Sequence, residues 1–164
     1  MIGSEGALGV SSAFSTSRAI NCSQVCIGGK VLKINSDYLD RELSADPTLQ
    51  FVLHQTITRQ MKQLSQKVIC NTFHSVEQRL CTWLLMLQDR CGSPSLKVTH
   101  EHVARVLGVH RPSVTCIAQG LRERGLIDYS RGRIFIRDRA GVEKDACICY
   151  GDARLNVKAP LAVH

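Results

Sequence analysis

Residues 110–119, "HRPSVTCIAQ", crowd polar chemistry into one short stretch. Arg111 brings a flat fork of donors. Ser113, Thr115 and Gln119 bring small hydroxyl and amide groups, and His110 and Cys116 add an imidazole and a thiol. A little further on, Arg131 and Arg133 flank Gly132 in "SRGR". Guanidinium forks beside small polar groups suit the recognition of an anionic surface. They do not suit bond breaking, and no catalytic residue is assigned. No Ser/His/Asp or Cys/His arrangement stands out, and the six histidines (His54, His74, His100, His102, His110 and His164) are scattered. His100 and His102 lie two residues apart, the wrong spacing for one helical face. An enzyme built on the glycine-rich start "GSEGALG" would need a base or a metal that nothing downstream supplies.

Charge distribution points the same way. The chain of 164 residues carries 21 Lys and Arg against 14 Asp and Glu, a net charge of +7. Residues 1–50 are close to neutral, and the excess sits after residue 50. Residues 105–139 hold 8 arginines and 3 acids. A basic stripe confined to one part of a chain is the footprint of a polyanion partner, although a solvated basic face reads the same way. The 8 cysteines include no CxxC pair. Most sit singly in apolar patterns, as small buried apolar residues do. Cys22/Cys26 and Cys147/Cys149 have no histidine at finger spacing, so neither a metal site nor any other cofactor is expected. No secretory signal opens the sequence, and no apolar run approaches the ~20 residues of a membrane span. A reducing cytoplasm is the expected location.

These polar groups need elements to position them. Thr99 is placed to cap a short helix whose inward residues are Val103, Ala104 and Leu107, with Glu101 in its first turn. Gly108 supplies a turn and Pro112 opens the next helix. Val114, Ile117, Ala118 and Leu121 recur at i, i+3, i+4 and i+7. The opposite face holds Pro112, Thr115, Cys116 and Gln119, with Arg111 and Ser113 at the N-terminal end. Two short helices around a glycine turn describe a helix-turn-helix. Small residues on the second helix let it enter a groove about 12 Å wide. "LIDYSRGRIFI" alternates on both sides of a glycine turn and reads as a hairpin, or wing, with arginines at its tip. A winged fold used for protein contact remains the other reading of the segment.

Upstream, Asp46 and Pro47 open a helix of about 24 residues, roughly 36 Å long. Leu53, Ile57, Met61, Leu64 and Val68 form a narrow apolar seam along it. Such a seam serves pairing with a second copy, or packing on the chain's own small domain. Ser75 and Gln78 form a capping box for a helix that buries Leu80, Trp83, Leu84 and Leu87. "AINCSQVCI" and "KVLKI" read as strands, and "SDYLDREL" as a short helix capped by Ser36.

"QRLCTWLLMLQDR" followed by "VTHEHVARVLGVHRPSVTCIAQGLRERGLIDYSRGRIFIRDRAG" resembles the Crp/Fnr family of bacterial transcription regulators, over residues 47–150. The resemblance implies an α+β chain: a partial β-roll over 1–46, a dimerisation helix over 47–72, a winged helix-turn-helix over 73–150, and a tail over 151–164. It implies a homodimer bound to double-stranded DNA, working with RNA polymerase. Arg111 stands where the family commonly reads a guanine, which implies bidentate contact to O6 and N7. His110, Ser113 and Thr115 fall on neighbouring contact positions. Pro112 and Cys116 stand where the best-known members carry Glu and Arg, so the preferred operator differs from theirs. "GSEGALG" followed by "TSRAINC" resembles the second half of the family's sensor roll. Glu5 and Arg18 there stand like the pair used by cyclic-nucleotide binders. Ligand binding does not carry over, because half of the roll's strands are missing and the sensor is expected to be truncated. A chain of this kind has a second reading: an interaction protein that pairs with full-length relatives and modulates them.

Overall fold

The computed structural model describes residues 1–14 and 22–158. Arg18 and the start of "AINCSQVCI" lie outside the described residues. The chain divides into two compact units, one built mainly from Met1–Ser65 and the other spanning Gln66–Leu155. The division falls inside the long helix.

In the first unit a 3-10 turn, Val10–Phe14, is followed by α1, Ser36–Ala45, and α2 begins at Pro47. Asn35, rather than Ser36, caps α1, its side chain accepting from the Asp37 N–H at 2.8 Å. Asp46 caps α2 as expected, with Oδ1 accepting from Thr48 N at 2.8 Å and Leu49 N at 3.2 Å. The carbonyl of Ala7 accepts from the Gln60 amide at 2.7 Å, and Phe14 stacks on His54 at 4.7 Å. The expected strands are corrected here. Residues 22–35 are neither helix nor strand, and no described residue before Ser95 is in a strand. Alternation makes a strand only where a neighbouring strand takes up its backbone groups. No such neighbour exists among the described residues of this unit.

Helix α2 runs Pro47–Phe73, 27 residues, slightly longer than its pattern predicts. Leu53 and Ile57 are half-buried. Further along the same seam Met61, Leu64 and Val68 are 59%, 59% and 65% exposed. The chain's own fold therefore covers the start of the seam and leaves the rest bare.

The second unit holds α3 (Val76–Cys91), β1 (Ser95–Leu96), α4 (His100–Leu107), α5 (Arg111–Glu123), β2 (Ile127–Ser130), β3 (Arg133–Ile136), α6 (Arg139–Asp145) and the start of α7 (Cys149–Lys158). The Ser75–Gln78 capping box is present. Helix α3 buries Leu80 through Leu85 without a break and forms the spine of the core. It is joined there by Leu96, Val103, Val114, Leu121, Ile127 and Ile134, each at most 1% exposed. The sheet has the order β1-β3-β2, all antiparallel, with Ser130 opposite Arg133 and Ile127 opposite Ile136. Helices α6 and α7 were not expected. Asp138 caps α6 by accepting from the Gly141 N–H at 3.0 Å, and α7 makes part of the expected tail helical.

Candidate nucleic-acid interface

Helix α4, a turn and helix α5 form the helix-turn-helix. Thr99 caps α4 through Oγ1, which accepts from His102 N at 3.1 Å. Gly108 closes α4 in the left-handed region at φ 67°. His110 precedes α5 in extended backbone, and Pro112 sits in its first turn, where no N–H is missed. Val114, Ala118 and Leu121 are fully buried. Arg111, Pro112, Ser113, Thr115, Cys116 and Gln119 are all exposed, as is His110. The helical pattern thus sorts the predicted polar groups onto one outward face. Two of them are engaged within the chain. Thr115 Oγ1 donates to the Arg111 carbonyl at 3.2 Å and meets His100 Nδ1 at 3.2 Å. Gln119 donates to Glu123 at 3.0 Å.

The wing turns through two residues, Arg131 at φ 48° and Gly132 at φ 74°. Positive φ at both positions is the type I′ geometry that matches strand twist. A Cβ on Gly132 would stand 3.5 Å from Thr99 Cγ2, so the wing tip lies beside the start of α4. Arg131 holds a conformation that usually goes to Asn or Gly, at a cost of about 1 kcal/mol. Arg131→Asn should therefore raise folding stability by about 0.5–1 kcal/mol. An increased urea midpoint with an unchanged slope would register it.

His100 is the residue that the sequence pattern missed. It bonds Thr115 of α5, and its ring meets Tyr129 of β2 edge-on at 4.8 Å. Burial first, and then the Arg111 charge, hold its pKa below the ordinary 6.5. It is therefore an uncharged bridge between helix and wing at neutral pH. The available signal was its place directly after the capping Thr99.

Eight arginines fall in residues 105–139, and they are not equivalent. Arg124 pairs with Asp145 at 2.7 Å and with Glu77. Arg139 pairs with Asp89 at 2.8 Å and Glu143 at 3.0 Å. Arg122 pairs with Asp128 at 3.0 Å and lies over the Tyr129 ring, and Arg137 reaches the same carboxylate at 3.5 Å. The N–H of Tyr129, followed by these two guanidiniums, holds the Asp128 carboxyl below its usual range. Arg111, Arg131 and Arg133 are exposed and have no carboxylate partner among the described residues.

The cysteines need a correction. Cys81 is a buried apolar residue of α3, as expected, its thiol pushed up to about 12 by burial. Cys70, Cys147 and Cys149 instead form a buried cluster with His74. Their four donor atoms all lie within 4.8 Å of one another. Cys70 Sγ is 3.7 Å from Cys147 Sγ, and Cys149 Sγ is 3.6 Å from His74 Nδ1. Tertiary packing unites donors 77 residues apart, so sequence spacing cannot show them. Burial, and then bonds from Cys149 and Cys147, push the Cys70 thiol up to about 12.

Residues 78–144 match the family described as the Crp-like helix-turn-helix domain. No curated protein matches the chain. Among solved structures, a CRP-family transcriptional regulator from Thermus thermophilus aligns at 22% identity and TM-score 0.56, over 73% of this chain and 58% of that one. A CRP/FNR-family regulator from the same organism aligns at 25% and 0.58, over 62% of this chain and 55% of that one. FixK2 from Bradyrhizobium japonicum aligns at 14% and 0.64, over 70% and 60%. The chain thus spans between 55% and 60% of the length of these three proteins. Residues 78–144 are accordingly a Crp-like helix-turn-helix domain, carried on the fold of the Crp/Fnr transcription regulators.

Proposed function

We propose that the protein is a cytoplasmic DNA-binding transcription regulator of the Crp/Fnr type, acting as a homodimer on specific operators. The observation that carries this reading is the sorting of arginines. Arg122, Arg124, Arg137 and Arg139, in the body of the winged domain, are tied to carboxylates. Arg111, at the start of α5, and Arg131 and Arg133, at the wing tip, are left for an outside anion. In this reading α5 enters the major groove, and Arg111 contacts a guanine with His110, Ser113, Thr115 and Gln119 beside it. Thr99 at the start of α4 and the two wing arginines contact backbone. Pro112 and Cys116 set an operator preference of their own. The bare part of the α2 seam supports pairing between copies, and RNA polymerase is the partner in transcription.

Selection of bound duplexes from a random pool tests this. The expected product is a pseudo-palindrome with half-site centres about one helical turn apart, roughly 34 Å. A pool that shows no enrichment after repeated rounds overturns DNA recognition. The same bare seam also fits a second reading, in which the chain pairs with a longer relative and modulates it. A monomeric chain that enriches DNA only when mixed with such a relative would favour that alternative.

A further inference from the structure

We propose that Cys70, His74, Cys147 and Cys149 form a closed, four-ligand binding site for one zinc ion per chain, clipping the end of α2 to the segment between α6 and α7. The inference is independent of DNA binding.

The geometry carries it. Zinc bound tetrahedrally by thiolates at about 2.3 Å and imidazole at about 2.0–2.1 Å sets donors apart by about 3.8 Å for S···S and about 3.5 Å for S···N. The two contacts across the cluster are 3.7 Å and 3.6 Å. The widest separation, 4.8 Å, needs to close by only about 1 Å to complete the tetrahedron. Three soft sulfurs and one imidazole nitrogen are a zinc ligand set, and four protein ligands leave no open position, the mark of a structural site. A four-iron cluster would have to hold its cysteine sulfurs apart by its own width, and sulfurs 3.7 Å apart leave no such room.

The surroundings fit a metal-bound thiolate. Cys147 N donates to Thr82 Oγ1 at 3.1 Å, and that oxygen lies 3.0 Å from Cys147 Sγ. A metal-bound thiolate has no proton of its own, so the buried hydroxyl would donate to the sulfur, a supporting bond of the kind that orients metal ligands. Lys67 lies within electrostatic reach of Cys70 and Cys147. Its ammonium offsets the net negative charge of three thiolates and one divalent ion. Cys70, Cys147 and Cys149 are 7%, 3% and 2% exposed, and half-exposed His74 gives the ion a way in.

The test uses the full chain, purified under reducing conditions without chelator. Elemental analysis should find one equivalent of zinc. The stripped protein, titrated with Co2+, should develop the intense visible bands of a tetrahedral thiolate site, and Zn2+ should bleach them. Cys149→Ser and His74→Ala should each weaken Zn2+ binding by more than the roughly 10–100-fold that loss of an outer-shell partner costs. His74 is half-exposed, so its truncation leaves the core in place, and circular dichroism verifies this. Cys22→Ser, at an exposed thiol that is not one of the four, should bind as the parent does. Chelation should lower Tm of the parent and leave that of Cys149→Ser unmoved, because metal binding adds directly to folding free energy. Four results overturn the proposal: a reduced chain that binds neither zinc nor tetrahedral cobalt, full affinity in both ligand variants, stoichiometric iron and sulfide, or a Cys70–Cys147 disulfide in freshly isolated protein.

Discussion

Alanine at Arg111 should cost about 1–3 kcal/mol per half-site on the preferred operator and relax preference at one base pair in each half. The guanidinium stands on the first turn of α5, exposed and without a carboxylate partner among the described residues. Pro112 and the buried Val114 fix the helix start behind it. In the proposed complex it stands at the end of the helix that would meet base edges, and removal of a bidentate pair would be read as a fall in discrimination. Arg133→Ala should fail differently. Its side chain leaves the wing next to the turn, where the proposed docking would put only backbone phosphates in reach. All sequences should weaken about equally, and the log–log salt slope should shrink by about 0.9 for each phosphate that is no longer neutralised. Anisotropy titrations on matched and mutated duplexes at several salt concentrations separate the two. If Arg111→Ala weakened every sequence evenly, α5 would be a phosphate clamp and no reader of sequence.

Aspartate at Leu64 should dissociate the proposed dimer. Leu64 is 59% exposed in the single chain, so the substitution leaves the chain's own packing intact. In a paired seam the same carboxylate would be buried twice, once from each copy, at a cost of several kcal/mol. A loss of that size raises the dimer Kd by roughly a hundredfold or more. Sedimentation should show a monomer at concentrations where the parent is a dimer. An unchanged mass would remove the seam from the interface. Leu64 is a cleaner probe than Ile57, which is half-buried in its own unit.

The helix-turn-helix and wing were legible because their determinants are local. Thr99, Gly108 and Pro112 mark helix ends within a few residues of the pattern they bound, and Gly132 marks the hairpin within one. The seam of α2 was legible as a pattern, but not how much of it the chain covers itself, which depends on residues about fifty positions upstream. The alternating pieces between residues 22 and 35 misled because a strand is a property of a pair, and no partner strand is found among the described residues before Ser95. Helix α6 is short and charged, and its signal was the single cap at Asp138. His100 and the Cys70–His74–Cys147–Cys149 cluster were hidden for one shared reason. Each acquires its role from side chains that folding alone brings near.

His100, with Thr115 on one side and Tyr129 on the other, couples helix α5 to the wing in a single piece. In the proposed complex, two grips tied together in this way would leave more of the adjusting to the duplex. The elastic work of fitting the DNA to both would then fall on the base steps between α5 and the wing. Flexible pyrimidine–purine steps there cost less to deform than stiff A-tracts. Operator strength would therefore depend on base pairs that no side chain touches, and loosening the bridge with His100→Ala would make those silent positions matter less.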